Sequence, residues 1–137
     1  MRFILAILIL HLSAISLSAA EDRIGFIDSM RVLASHPKYG ILQKQLDEFI
    51  QKKSDEAKAA AEKETDQAKR MEIVERARKE SGEEEYRVMN PVTDEINKVI
   101  EEVAKSKGVT VVMNRALIFF GGVDLTDDVI NSLKKFK

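Results

Sequence analysis

Apolar positions along this chain fall into three regimes: short apolar runs at either end flank a long stretch in which apolar residues return only every three or four positions. Arg23-Ile24-Gly25-Phe26-Ile27-Asp28 predicts a strand with Ile24 and Phe26 on one face. Asp28 or Ser29 can cap a helical turn through Met30, Val32 and Leu33. His36-Pro37 ends that turn, because a residue preceding proline avoids the α region, and Pro37 suits the first turn of the next helix. From there Tyr39, Leu42, Leu46 and Phe49 recur at the spacing of a coiled-coil seam. The seam weakens through Lys53, Ala57, Ala60 or Ala61 and Glu64, returns at Ala68, Met71 and Val74, and sharpens at Tyr86, Met89, Thr93, Ile96, Ile100 and Val103. A single helix over 39–106 would reach about 100 Å. A hairpin instead lets the strong segments 39–50 and 86–103 pack together. Its tip is expected near Glu64 to Gln67, with Ser81-Gly82 as the competing site, and Pro91 is expected to kink the return helix or start a fresh one.

Gly108 stops this helix after Lys105 and Lys107. Val109 to Met113 reads as a second strand, Asn114-Arg115 as a turn, and Ala116 to Phe120 as a third strand, apolar on both faces and so expected to be buried on both. Gly121-Gly122 ends it, and Asp124-Leu125-Thr126-Asp127-Asp128 leads into a last helix with Val129, Ile130 and Leu133 apolar. The fold class is α+β: a small three-stranded β body (21–38 and about 96–137) carrying a long α-helical hairpin, or coiled-coil arm, over about 39–106. A body of about 60 residues buries only about 60% of its surface and is marginal alone. A homo-oligomer whose strands assemble a shared core is therefore expected.

Charge sharpens the picture of the arm. Lys52 to Arg87 holds ten Lys/Arg and eleven Asp/Glu in 36 positions, with one Gly and no Pro. These residues favour helix and form many i,i+4 opposite-charge pairs, yet cannot bury a globular core. Residues 1–20, with Arg2, an apolar run from Phe3 and Ser18-Ala19-Ala20, read as an export signal cleaved after Ala20. Its removal leaves 21 Lys/Arg against 23 Asp/Glu in residues 21–137. That balance argues against nucleic-acid binding through phosphate neutralisation. The chain has no cysteine, so stability must come from packing or association.

Candidate chemistry is sparse, and no cofactor is expected. Asp124, Thr126, Asp127 and Asp128 gather oxygen ligands, but a calcium loop needs a turn glycine and a following bidentate Glu, and neither is present. Capping by Thr126, with Asp127 and Asp128 in the first turn, is the better account. His36 has no nucleophile or patterned carboxylate beside it in the sequence and reads as a loop histidine. Glu83-Glu84-Glu85 point different ways around a helix and build no cleft for acid–base work. Gly121-Gly122 matches no phosphate-loop spacing. No enzymatic activity is expected.

With strand, arm and return helix in place, the chain resembles the Skp/OmpH family of periplasmic chaperones. Arg23 to Leu33 resembles the family's opening strand and turn; Ile96 to Gly108, the runs 109–113 and 116–120, and Asp124 to Ile130 resemble its closing region; Pro91 sits where many members carry a proline. The resemblance implies a tentacled homotrimer in the periplasm, whose arms enclose unfolded outer-membrane β-barrel proteins without ATP. On that reading Ile24, Phe26, Val111, Met113, Ile118 and Phe120 build the trimer body, and Ala57, Ala60, Ala68 and Met71 are candidates for client contact. Two departures are visible: the arm looks shorter than in well-known members, and its charge is balanced rather than basic. The latter argues against electrostatic capture of acidic clients or lipopolysaccharide. A coiled-coil scaffold of the envelope without chaperone activity is the alternative.

Overall fold

The computed structural model describes residues 23–135; the export signal read at 1–20 lies outside them. Among the described residues the chain is mostly helical: β1 (Ile24–Ile27), α1 (Ser29–Ala34), α2 (Tyr39–Lys63), α3 (Gln67–Ser106), β2 (Val111–Asn114), β3 (Val123–Asp124) and α4 (Thr126–Leu133). The three strands form one sheet in the order β2-β1-β3, with β1 central and parallel to both neighbours.

The sheet packs its inner face on a closed core. Ile27, Val32, Val109, Leu125, Val129, Ile130 and Leu133 join Val92, Ile96, Val99 and Val103 in one buried cluster. The four α3 positions are spaced four, three and four, which places them on one stripe of the helix. Gly25 lets the elements close: a Cβ there would lie 2.9 Å from both Leu125 Cδ1 and Val109 Cγ1. The β3–α4 junction is pinned by hydrogen bonds from the Leu125 N–H to the Phe26 carbonyl (2.9 Å) and from the Asp28 N–H to Thr126 Oγ1 (3.0 Å). Thr126 is thus a buried acceptor inside the core rather than the cap expected of it. Asp124 takes that task, its Oδ1 accepting the Thr126 N–H at 2.9 Å.

The arm turns at Glu64, Thr65 and Asp66, between α2 and α3. Two carboxylates hold the turn. Glu64 Oε1 accepts the N–H groups of Thr65 and Asp66, and Asp66 Oδ1 accepts those of Ala68 and Lys69. Helix continues through Ser81-Gly82, where the Ser81 hydroxyl donates to the Ala77 carbonyl. One glycine in a helix interior costs only about 1 kcal/mol, too little to break a helix this long. Pro91 also lies inside α3, which does not restart there. After Ser106 the helix ends in a Schellman arrangement. Gly108 adopts φ +64°, its N–H bonds the Lys105 carbonyl, and the Val109 N–H bonds that of Ala104.

The segment expected as the third strand is not one. Residues 115–117 form a single 3-10 turn, started by Asn114 Oδ1 accepting the Ala116 N–H at 2.9 Å. Gly121 (φ +77°) and Gly122 (φ +89°) then swing the chain back, and Val123–Asp124 takes the free edge of β1. Leu117, Phe119 and Phe120 are exposed, the two phenylalanines fully.

Candidate functional site

Strand alternation divides the sheet into two unlike faces. Gly25 and Ile27 point into the core, whereas Ile24 and Phe26 stand on the opposite face beside their register partners Val111 and Met113. Among the described residues no helix covers that outer face. Ile24 and Val111 are exposed, and Phe26 and Met113 half-buried. The loop from 115 to 122 lies alongside. The Arg115 guanidinium sits 5.8 Å from the Phe26 ring centroid, and a Cβ on Gly122 would meet the Phe26 ring at 3.2 Å. The structure thus places Ile24, Phe26, Val111 and Met113 on one face. Ile118 and Phe120 follow on the adjoining loop, half-buried and exposed respectively. Exposed Leu117 and Phe119 belong to the same apolar loop. Reading 116–120 as a doubly buried strand hid their exposure.

The arm is the second surface. Between α2 and α3 runs a groove of about 760 Å³ lined by Ile50, Ala57, Ala61, Val74, Ala77 and Gly82, among others. It exists because the seam here is made of small side chains, which leave the helices in contact but not filled between. Ala57 is buried within this seam, so it packs the hairpin rather than presenting itself to a client. Ala60 and Ala68 are exposed, and Met71 is 64% exposed. On α3 the expected seam holds at Ile96, Ile100 and Val103 but not at Tyr86 and Thr93, which are exposed, while Val92 and Val99 join the buried positions. α4 also packs on α3 and turns the inward stripe toward it.

Ion pairs along the arm join neighbouring turns of one helix, as in Lys52–Glu56, Arg76–Glu72 and Lys79–Glu83. Among the described residues, Lys53–Glu80 (2.7 Å) is the ion pair that ties α2 to α3. The hydrogen bond to Lys53 lowers the Glu80 carboxyl below its usual range, and the same bond raises the Lys53 ammonium.

At the root of the arm the structure corrects the reading of His36. Its side chain is only 1% exposed, and Nε2 lies 3.1 Å from Glu95 Oε2 on α3. Glu95 is held below the usual carboxylate range first by the Lys38 hydrogen bond (3.0 Å) and, more weakly, by His36. The partner is 59 residues away, beyond what a local motif can reveal. The acidic loop also resolves into separate contacts: Asp124 with Thr126 and Arg115, Asp127 with Arg31, and Asp128 with Lys107.

A family model described as outer membrane protein (OmpH-like) matches residues 50–133. The chain belongs to the OmpH-like family. The match takes in most of the arm, the return helix, β2, the apolar loop and α4, whereas β1, which supplies Ile24 and Phe26 to the outer sheet face, lies before it. A search of curated proteins found no match. No helix among the described residues is long and apolar enough to cross a membrane.

Proposed function

We propose that this OmpH-like chain is an exported, ATP-independent holdase. It keeps unfolded outer-membrane β-barrel proteins from aggregating in the periplasm and works as a homotrimer. The observation that carries the reading is the pairing of an uncovered apolar sheet face with a long, charge-balanced hairpin arm in a chain of this family. The apolar face and the exposed Phe119 and Phe120 are surface that further copies of the chain would remove from water, at about 25 cal/mol per Å² buried. The arms then hang from a common body and enclose a client through many weak contacts, with exposed Met71 as an adaptable apolar group. Release follows passively as the client folds. The charge balance of the arm supports capture by apolar contact rather than by charge, and sets lipopolysaccharide apart from the proposed partners.

The deciding experiment dilutes a denatured β-barrel membrane protein into buffer with stoichiometric amounts of the purified chain and follows light scattering. Suppressed aggregation without nucleotide is the expected result. Undiminished aggregation would leave the chain a coiled-coil scaffold of the envelope.

A further inference from the structure

His36 sits where the arm leaves the body, and each of its polar atoms is used. Nδ1 accepts the Lys38 N–H at 3.3 Å, and its carbonyl accepts the Tyr39 N–H at 3.0 Å. Both amides belong to the start of α2, where Lys38 offers no side-chain cap of its own. On its far side the ring meets Glu95 of α3. A backbone amide only donates, so Nδ1 must carry a lone pair. The proton of the neutral ring is therefore on Nε2, donating to the Glu95 carboxylate. The imidazole bridges both helices of the arm in one tautomer.

We propose that His36 is a proton-operated latch at the arm root, which ties the Lys38 amide at the start of α2 to α3 when neutral and releases that amide when protonated. A second ring proton can only sit on Nδ1, where it faces the Lys38 N–H as donor against donor. The ring cannot turn away without giving up Glu95, whose hold on an imidazolium is stronger than on a neutral ring. The charged groups around the latch divide cleanly. From α3 comes Glu95, which stays ionised through the range in which histidines titrate because its carboxyl is lowered. From the turn before α2 comes Lys38, which shares Glu95. On α1 the Arg31 guanidinium pairs with Asp127 of α4. Protonation thus removes the imidazole's bond to the first amide of the arm and leaves the Lys38 side chain on Glu95 as the remaining polar tie between the start of α2 and α3. His36 is the one histidine among residues 21–137, so any such response is assignable to it. The latch stands independently of whether the chain holds clients.

The test follows the purified chain by NMR from pH 8 to pH 5, reading the His36 ring and the exchange of the Lys38, Tyr39 and Leu42 amides, corrected for intrinsic pH dependence. Protection at Lys38 should fall about fivefold as the ring titrates, the scale of one lost hydrogen bond, while Tyr39, bonded to the His36 carbonyl, should keep its protection. His36→Gln offers an amide oxygen to Lys38 and an N–H to Glu95 but does not titrate, and it should hold its protection flat. Protection that stays flat while the wild-type ring titrates, a ring that does not titrate by pH 5, or the same loss in His36→Gln would each overturn the latch. If His36→Gln does not fold, the wild-type ring-against-amide comparison decides alone.

Discussion

Gly25 and Asp124 show how single side chains decide this body. Gly25 is needed for space, not for backbone freedom: a methyl there would press on Leu125 and Val109, both buried and held by the core. Gly25→Ala should cost about 1–3 kcal/mol through overpacking, read as a lower denaturant midpoint at an unchanged m-value. No loss would mean that Leu125 can step aside. Asp124 accepts hydrogen bonds from Thr126, and those bonds lower its carboxyl below the usual 3.8, with Arg115 adding to the effect. A depressed acid stabilises above its unfolded pKa and loses that contribution as pH falls through the folded value. Asp124→Ala should therefore cost about 1 kcal/mol at neutral pH, the usual scale for a lost cap. The gap to wild type should close as acid titrations pass below pH 3.8. A gap of constant size down to pH 2 would remove the carboxylate from the account. Of these residue-scale features, the acidic start of the last helix was legible in the sequence. Which oxygen capped which amide was not, because Thr126 turned inward to serve Asp28, almost a hundred residues away.

At the scale of elements the arm was the most legible part, because its signal is local: heptad spacing at Tyr39, Leu42, Leu46 and Phe49, and i,i+4 charge pairs over a long run. Less legible was which stripe of the return helix would be inward. Thr93 and Tyr86 fit the heptad as well as Val92 and Val99 fit the neighbouring stripe, and only the core assembled from β1, α1 and α4 chose between them. The groove around Ala57, Ala61 and Ala77 leaves Lys53–Glu80 as the ionic tie across the middle of the arm. Lys53→Ala and Glu80→Ala should raise amide exchange around residues 50–57 and 77–84 to the same extent, and the double variant no further. Since Glu80 is lowered and Lys53 raised, the tie should persist between about pH 4.5 and 10.5, weakening as acid protonates Glu80 or base neutralises Lys53. It should also weaken in 1 M salt. Additive single losses would show that the two side chains act separately. The run 116–120 was the clearest misreading at this scale. Its composition is strand-like, yet no edge of β1 remains for it, and an Asn114-capped turn and two positive-φ glycines carry it past the sheet.

For the whole molecule the question is what covers the apolar outer face of the sheet. The chain closes a core on the inner face by itself, with Val32, Val99, Leu125, Val129 and Leu133 sealed from water. A body of about 60 residues was expected to need other copies to complete its core. Within one chain the inner face is covered, and what stays exposed is the outer face and the loop beside it. Phe120→Asp, on a fully exposed position, should leave the fold intact and lower the mass measured by light scattering to that of one chain. An unchanged mass would sink the shared body and, with it, the enclosed cavity. The sequence by itself determined what depends on neighbours within a few residues: strand and helix character, the polar solvated arm, and the family membership that its order of elements implies. Only the tertiary structure decided which face of each element is inward, where the third strand lies, and that His36 meets Glu95. Those outcomes depend on contacts between segments far apart in the chain, and local periodicity carries no information about which distant surface arrives to cover it.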